Sequence, residues 1–269
     1  MKNKSSYSPQ HLLYLRKIKR ETYLVNFVRI AILVVGLLVW ELLARLNVID
    51  SFITSCPSKI FSTIYYLALE DNLLYHLSVT LYETLLGFII SVIFAYVIAL
   101  ALWWSERLRK ILEPYLVVLN SLPKIALGPI IIVWCGSGSK AIIFMAILIT
   151  IIVAIISLLN GFMATDEDKI TLLKSMGANK FQILTKLVVP GSLPTLINTL
   201  KISVGMSWIG SIMGEYLVSR AGLGYLIVYG GQVFKLDLVM ASTVVLCFLS
   251  AFMYFFVSIL EKIVIKNRK

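Results

Sequence analysis

The sequence contains few of the residues that build metal sites and covalent cross-links. Among its 269 residues are three cysteines and two histidines. Cys56, Cys135 and Cys247 lie far apart, so their spacing fits neither a metal site nor a disulfide framework. His11 and His76 belong to no His-Glu-x-x-His motif, and a Gly-x-Ser-x-Gly motif is also missing. We therefore expect no metal site and no catalytic residues in this chain.

A phosphate-binding loop is missing as well. The sequence GSGSK at 136–140 is rich in glycine, but its lysine follows a serine, so it does not match Gly-x-x-x-x-Gly-Lys-Ser/Thr. We interpret this segment as a tight turn. The chain is therefore expected to bind no cofactor of its own and to depend on another chain for any ATP hydrolysis.

Acidic residues are scarce: fourteen stand against twenty-five lysines and arginines, which gives a net charge of +11. A basic balance of this size can indicate a nucleic-acid partner, but here the positive charges flank apolar runs. Six of them lie in residues 1–24 and four lie in residues 261–269. Positive charge beside apolar segments is typical of the cytoplasmic side of a membrane protein. We therefore expect a lipid bilayer as the partner, and no nucleic acid.

Apolar residues, in contrast, are abundant. They make up 59% of the chain, and the mean hydropathy is +0.90. No charge interrupts the nineteen residues from Ala141 to Leu159 or the twenty-three from Leu238 to Leu260. A helix needs about 20 apolar residues to cross a bilayer, so the sequence predicts an all-α integral membrane protein with about six transmembrane helices. The expected spans are 25–45, 76–104, 111–135, 140–161, 194–217 and 237–260.

The charges between the spans predict the organisation of the chain. We expect a cytoplasmic basic arm on the membrane surface (1–24), a first span with an outer segment (25–75), a core (76–260) and a cytoplasmic basic tail (261–269). Both termini are placed in the cytoplasm because this puts seventeen basic residues on the inner side and five on the outer side. The chain is thus expected to be a multi-pass protein of the cytoplasmic membrane.

Breaks in the hydrophobic pattern give finer predictions. Pro57 is expected to open a short outer helix through Leu69, and SERLRK (105–110) is expected to form a loop. The third span is interrupted by Pro123 and by Gly128-Pro129. Residues 218–236 are expected to form the loop between the last two spans.

Small residues recur at every fourth position of two spans. The second span has Gly87, Ser91, Ala95 and Ala99, and the fifth has Ser203, Ser207 and Ser211 beside Gly210 and Gly214. Such stripes allow helices to approach closely in lipid. They fit packing inside one chain, the lining of a passage, or a dimer seam.

The segment between the fourth and fifth spans is polar, basic and amphipathic. Thr165 and Asp168 match a capping box at the start of a helix. Gly177 is placed to end that helix, Asn179 to cap a second one, and Pro190 to end the second. The sequence therefore predicts two short helices joined by a glycine corner on the cytoplasmic side.

Each of these short helices has an apolar face. The faces consist of Leu172, Leu173 and Met176 in the first helix and of Phe181, Leu184, Leu187 and Val188 in the second. They are too short to span a bilayer, and they could lie on lipid or in the groove of a soluble protein. The glycine corner favours a protein partner, because a helix that only lies on the membrane surface needs no break.

Ordered motifs across residues 75–260 resemble the type I permeases of ABC importers. Gly177, Pro190 thirteen residues later, and the pair Leu193-Pro194 look like the cytoplasmic EAA loop of that family. The stretches SLPKIALGPIIIVWCGSGSK (121–140) and GEYLVSRAGLGYLI (214–227) are similar to its nitrate/sulfonate/taurine branch.

The resemblance implies a role for residues 162–193. In such permeases two copies dock on a pair of ATPase subunits, which bind ATP and magnesium, and this loop transmits closure of the ATP sites to the spans. The implied coupling residues are Thr171, Leu172, Leu173, Met176, Gly177, Ala178, Phe181, Pro190 and Pro194. The Glu-Ala-Ala triplet falls on Thr171 to Leu173, so its acid is missing here, and Asp168 one turn earlier is a candidate substitute.

The resemblance also implies the partners and the class of substrate. We expect a second permease copy in a homodimer, and an extracytoplasmic solute-binding protein. The implied substrate is a small organic or inorganic anion, namely an aliphatic sulfonate, taurine or nitrate. Related branches carry thiamine-precursor pyrimidines or riboflavin, which remain alternatives. A self-contained secondary transporter is disfavoured because inverted repeats and paired intramembrane charges are not evident in the sequence.

Polar residues within the spans are the candidates for a pathway or gate. They are Lys124, Ser207, Trp208, Ser211 and Glu215. We expect Lys124 and Lys201 to snorkel to the interface, and Glu83 to be solvated near the outer interface. Glu215 lies near the outer end of the fifth span, where it is expected to be either interfacial or part of a gate.

Overall fold

The computed structural model describes residues 9–69 and 72–266, and this part of the chain is helical with no strands. It forms two compact units, one ending at Ser62 and the other beginning at Thr63. The first three helices are α1 (Pro9–Arg45), α2 (Ser51–Thr54) and α3 (Pro57–Leu69), and α3 continues into the second unit. Pro57 opens α3 as predicted.

Helix α1 runs without a break through the predicted boundary between the arm and the first span at 24/25. Its apolar, span-like part extends from Arg16 to Arg45. The carboxylate of Glu41 accepts hydrogen bonds from the Ser58 hydroxyl at 2.8 Å and the Ser58 N–H at 3.1 Å. This contact connects the last turns of α1 to the first turn of α3. Residues 1–8 of the predicted arm lie outside the described residues.

Ten further α-helices are described in the second unit. They are α4 (Leu73–Trp104), α5 (Glu106–Ser121), α6 (Gly128–Cys135), α7 (Ser139–Met163), α8 (Glu167–Ser175), α9 (Lys180–Ile183), α10 (Val189–Gly191), α11 (Leu193–Val218), α12 (Leu223–Gln232) and α13 (Leu236–Lys266). Four described helices, α1, α4, α7 and α13, are long and apolar enough to cross a membrane. Two bent pairs, 106–135 and 180–218, raise the number to as many as six.

Helix α7 packs between α4 and α11, and glycines make this packing close. A Cβ atom added to Gly87 would lie 2.6 Å from the Cβ of Ala146, and one added to Gly210 would lie 2.5 Å from the Cα of Ala146. Distances this short leave no room for a side chain. In the described residues the small-residue stripes of α4 and α11 are thus used for packing inside one chain.

Hydroxyl groups connect the same three helices. The side chains of Thr84 and Ser211 lie 2.6 Å apart, and those of Ser157 and Thr199 lie 2.7 Å apart. Hydrogen bonds between helices satisfy polar groups that lipid cannot satisfy.

The third span differs from the prediction. SERLRK is not a loop, because the Ser105 hydroxyl accepts a hydrogen bond from the Leu108 N–H and α5 begins at Glu106. The break occurs at Leu122, whose extended backbone (φ −64°, ψ 138°) is the conformation favoured before Pro123. A turn of 3₁₀ helix (Lys124–Leu127) leads into α6, and the two halves of the pair meet at 86°.

The predicted loop 218–236 also differs, because it contains the ten-residue helix α12. Helix α12 packs against α13, α11 and α4. It covers the end of the helix bundle that the sequence places on the outer side.

Candidate functional site

The glycine corner between α8 and α9 forms as predicted. Gly177 has a positive φ of 83°, a conformation that side chains with a Cβ rarely adopt. Its N–H donates to the carbonyl of Lys174 at 2.9 Å, and the N–H of Ala178 donates to the carbonyl of Leu173 at 2.9 Å. These two bonds are those of a Schellman motif, which fixes the direction in which the chain leaves α8.

The start of α8 lies one residue later than predicted. Asp166, not Thr165, is the N-cap residue, and its carboxylate accepts a hydrogen bond from the Asp168 N–H at 3.0 Å. The Thr165 hydroxyl donates instead to the carbonyl of Phe162, so it is not available as a cap. The Asp168 N–H, followed by the side chain of Lys169, holds the pKa of Asp166 below its usual value. The carboxylate is thus charged at the N-terminal end of α8, where the helix dipole favours an anion.

The second short helix is capped by Asn179 and is longer than predicted. Asn179 and Gln182 form a reciprocal capping box, with bonds of 2.8 and 2.9 Å between side chain and backbone. Pro190 does not end the helix, because a π-helical turn over Leu184–Val188 widens the backbone ahead of it. The helix continues to Gly191 and then meets α11 at a bend of 59°.

The helix pair has one buried and one exposed apolar side. Ile183, Leu184 and Val188 are buried against residues of α4 and α7, including Leu102 and Phe162. The partly buried side chains that pack against the same core include the predicted coupling residues Leu173 and Ala178. The side chains of Leu172, Met176 and Phe181 are exposed by 60%, 74% and 62%. We call these three residues the apolar docking face.

Lys180, which the sequence did not single out, connects the helix pair to α4. Its ammonium group donates a hydrogen bond to the carbonyl of Trp104, the last residue of α4. It also lies 5.8 Å from the ring centroid of Trp103 and 5.4 Å from that of Trp104. A cation favours this position because the C-terminal end of a helix is negative.

At the other end of α4, three side chains hold the first turn of α12. The N–H groups of Gly222, Leu223 and Gly224 are consecutive, and an isolated helix would leave them without partners. The acceptors are His76 Nδ1 at 3.0 Å, Thr80 Oγ1 at 2.8 Å and Glu215 Oε2 at 2.6 Å. We call this arrangement the outer cap.

Glycines make room for the Glu215 carboxylate in the outer cap. Gly222 has a φ of 115°, and a Cβ atom added to Gly224 would lie 2.7 Å from Glu215 Oε2. The Gly-Leu-Gly sequence at 222–224 therefore both turns the chain and lets its backbone approach the carboxylate. Glu215 faces the protein interior, since only 1% of its surface is exposed.

Glu83 is buried beside Glu215, contrary to the expectation that it is solvated. It is 1% exposed, and its carboxyl group interacts with the hydroxyl group of Ser139 and with the carboxyl group of Glu215. The outer cap is responsible, because its bonds to His76 and Thr80 place the chain at 222–224 over this end of α4. A cavity of about 350 Å³ lies alongside, lined by Glu83, Ser139 and Arg220 among others.

The family model of the binding-protein-dependent transport system inner membrane component matches residues 87–269. The chain belongs to this family. It is 30% identical over 190 residues to the formylaminopyrimidine transport permease protein ThiX of Halalkalibacterium halodurans, covering 70% of this chain and 75% of that protein. It is 26% identical over 245 residues to the taurine transport system permease protein TauC of Escherichia coli, covering 88% and 89%.

A solved structure supports the same fold for this permease. The inward-facing MetNI methionine ABC transporter has a chain that aligns with a TM-score of 0.61 at 21% identity. The alignment covers 70% of this permease and 96% of that chain. The type I fold of ABC importer permeases, predicted from the sequence, is thus confirmed.

The candidate pathway residues of the permease do not form one site. Ser207 and Ser211 are buried, and they bond to Thr150 at 3.2 Å and Thr84 at 2.6 Å. The Lys124 ammonium group is half-buried and donates to the Asn120 carbonyl at 3.0 Å. This bond connects Lys124 to the last turn of α5, and its snorkelling to the interface stays a prediction.

Lys201 forms an ion pair inside the permease. Its ammonium group forms a 2.6 Å ion pair with Glu261 of α13. The partner lies sixty residues further along the chain, and no local pattern in the sequence connects the two. Helix packing inside the permease brings them together.

Trp208, another of the pathway candidates, lines an open groove. The groove, of about 700 Å³, lies between α11, α12 and α13, and its walls include Met213, Tyr216, Leu246 and Tyr254. Trp208 is 4% exposed, and no partner for its indole N–H is found among the described residues. A buried indole N–H normally has a hydrogen-bond partner, so this donor is unsatisfied among the described residues, and the largely apolar walls of the groove also carry the hydroxyl groups of Thr243 and Ser250.

Proposed function

We propose that this permease translocates a small organic or inorganic anion of the sulfonate, taurine or nitrate class into the cell, driven by a separate pair of ATPase subunits. The observation that carries the ATP-driven part is the apolar docking face. Leu172, Met176 and Phe181 are exposed on a helix pair whose opposite side is buried in the core of α4 and α7. An exposed apolar patch on a rigid element favours a protein partner.

The coupling residues act together in this proposal. The Schellman corner at Gly177 and the capping box at Asn179 fix the angle between the two short helices. Leu173 and Ala178 contact the core, while Thr171 is exposed beside the docking face. A change of docking geometry on ATP binding then shifts the equilibrium between pore orientations, since one rigid element contacts both sides.

Other parts of the proposal concern assembly and location. Two permease copies and two ATPase subunits form the complex, with ATP and magnesium bound by the ATPase. A solute-binding protein delivers the substrate at the outer side, near the outer cap. The protein lies in the cytoplasmic membrane with both termini inside, as the charge distribution favours.

The class of substrate is proposed on two grounds. One relative is named for the transport of taurine, a sulfonate. In addition, Arg220 borders the cavity near the outer cap, and an anion entering there meets its positive charge.

A heteroaromatic solute is a second candidate, and the Trp208 groove favours it. The groove is apolar and contains tyrosine and phenylalanine rings, which suit a flat uncharged ring better than a sulfonate. The unpartnered Trp208 N–H would donate to a ring nitrogen or carbonyl. The relative at 30% identity is named for a formylaminopyrimidine.

Reconstitution tests the dependence on partners. The permease purified alone should show neither ATP hydrolysis nor uptake, and co-expression with its ATPase should yield a complex of two permeases and two ATPases. The matched variant Leu172→Asp/Phe181→Asp should insert into the membrane but lose the ATPase on purification. Uptake by the lone permease, driven by an ion gradient, would contradict the proposal.

Competition measurements in proteoliposomes test the substrate. Taurine, an alkanesulfonate, nitrate, a formylaminopyrimidine and riboflavin are offered together with the cognate binding protein. Binding-protein-dependent uptake of one of the three anions supports the first candidate. Uptake of the pyrimidine alone, reduced by Trp208→Phe, supports the second.

A further inference from the structure

Two carboxyl groups lie side by side in the interior of this permease. Glu83 of α4 and Glu215 of α11 are each 1% exposed, and the two carboxyl groups interact. Each has one oxygen for which no partner is found among the described residues: Oε2 of Glu83 and Oε1 of Glu215. A carboxylate can only accept hydrogen bonds, so two ionised groups cannot satisfy each other.

Two unpaired charges here would be unfavourable. Burial of an ionised carboxylate without a partner is costly, and a second negative charge beside it adds repulsion. In the described part of the chain the salt bridges of the second unit involve Arg109, Lys110, Lys169 and Lys201, and none of them reaches this pair. A single proton would remove one charge and supply the missing donor.

The contacts indicate which residue carries that proton. Glu215 Oε2 accepts the Gly224 N–H at 2.6 Å, and it lies at the N-terminal end of α12, where the helix dipole favours a negative charge. Glu83 has no backbone N–H donor among the described residues, and it interacts with the Ser139 hydroxyl. The negative charge therefore belongs on Glu215.

We propose that Glu83 and Glu215 form a proton-binding site, with the proton carried by Glu83 Oε2 and donated to Glu215 Oε1. The cavity of about 350 Å³ connects Glu83 with the loop residues 137–139 and 219–221, which the charge pattern of the sequence places at the outer side. The proton is thus exchanged with the outer solution. When it leaves, two adjacent negative charges weaken the contact between α4 and α11 and with it the outer cap.

Several other ionisable groups surround the pair. His76 of α4 lies in the outer cap, where it stacks on Tyr225 of α12 with a centroid distance of 6.1 Å. Arg220, in the loop after α11, lines the cavity together with Tyr75 of α4, and Lys140 follows Ser139 on α7. Tyr216 follows Glu215 on α11. Arg220 and His76 are therefore included as variants in the test, because the charge of Arg220 borders the cavity and His76 forms part of the outer cap.

The test compares uptake at different external pH values in the complete complex with ATPase and binding protein. It rests on the proposed transport function. The parent is expected to lose uptake as the external pH is raised. Glu83→Gln should remove this loss, because the glutamine amide donates permanently to Glu215 Oε1 where the parent needs a proton. The matched control Glu113→Gln, at an exposed acid of α5, should keep the profile of the parent.

Three results would overturn the site. One is a flat pH profile in the parent, and another is an identical profile in the parent and Glu83→Gln. The third is a profile that Arg220→Gln or His76→Gln flattens while Glu83→Gln leaves it unchanged.

A second measurement is independent of transport and of the substrate. Infrared difference spectra of the purified permease in lipid nanodiscs should show a protonated carboxyl band that disappears at alkaline pH. The band should be lost in Glu83→Gln and kept in Glu113→Gln. If the band is present but uptake fails in every reconstituted complex, the proposed function fails and the proton site stands. If uptake works and the band is missing from the parent, the proton site fails alone.

Discussion

The ammonium group of Lys180 lies 2.5 Å from the carbonyl oxygen of Trp104, and this bond joins the short helix after the glycine corner to the end of α4. Lys180 is the first residue of its own helix, where a positive charge is disfavoured, and it lies at the C-terminal end of α4, where a positive charge is favoured. The dipole of α4 therefore stabilises the positive charge of Lys180, whereas the dipole of its own short helix disfavours that charge.

Lys180→Met should reduce coupling without reducing assembly. The variant removes the hydrogen bond and the cation–π contacts with Trp103 and Trp104, while the docking face is untouched. An exposed cation–π contact contributes roughly 0.5–1 kcal/mol, so substrate-stimulated ATP hydrolysis should fall about two- to fivefold. The matched control is Lys186→Met, an exposed lysine of the same helix. Equal rates of substrate-stimulated ATP hydrolysis in both variants would show that Lys180 does not contribute to coupling.

Gly177→Val should distort the corner between α8 and α9. The φ of Gly177 is 83°, and a residue with a Cβ in the left-handed region costs about 1–2 kcal/mol, more when it is β-branched. We expect normal membrane insertion, weaker binding of the ATPase and lower uptake, measured by co-purification and vesicle assays. Gly191→Val is the control, because it lies in the same segment with open space around its Cα. Normal docking and uptake in Gly177→Val would indicate that the segment 162–193 only anchors the chain to the membrane surface.

Local signals were sufficient to predict this corner from the sequence. The Schellman bonds join residues within five positions of each other, and the capping box joins Asn179 to Gln182. The prediction that Pro190 ends the second short helix was wrong, because the π-helical turn that accommodates this proline has no clear sequence signature. The rule that a proline ends a helix failed at Pro190 because the backbone before it widens into a π-helical turn.

The outer cap could not be predicted in the same way. The bonds of His76 to Gly222 and of Thr80 to Leu223 join residues more than 140 positions apart. The sequence shows Glu83 as an acid near the end of a span, and only the packed structure shows that it is buried beside Ser139 and Glu215. The Gly-Leu-Gly spacing at 222–224 was a usable signal, since glycines close together often admit a close backbone approach.

Gly210→Ala should destabilise the packing of α11 on α7. The added Cβ would lie 2.5 Å from the Cα of Ala146 and 3.1 Å from the carbonyl oxygen of Met145, and backbone atoms cannot move aside as a flexible side chain can. Overpacking of this kind costs about 1–3 kcal/mol. The measurement is the thermal midpoint of the purified permease. Gly205→Ala on the same helix meets nothing within 4 Å and should not lower it. Equal midpoints for the two variants would contradict the close approach of the helices.

Glu215→Leu should impair uptake while docking of the ATPase is unchanged. Leucine removes the acceptor of the Gly224 N–H, and a buried donor without a partner costs about 1–3 kcal/mol. The first turn of α12 would loosen at the outer side, about 30 Å from the start of α11 at a rise of 1.5 Å per residue. Glu215→Gln keeps the acceptor oxygen and the shape, so we expect only a small loss of uptake.

Uptake in vesicles and recovery of the complex are measured for both variants. Transport by Glu215→Leu at the rate of the parent would show that Glu215 has no part in a gate. Loss of the complex in Glu215→Leu would instead indicate a folding role, because a gate at the outer side should not affect cytoplasmic docking.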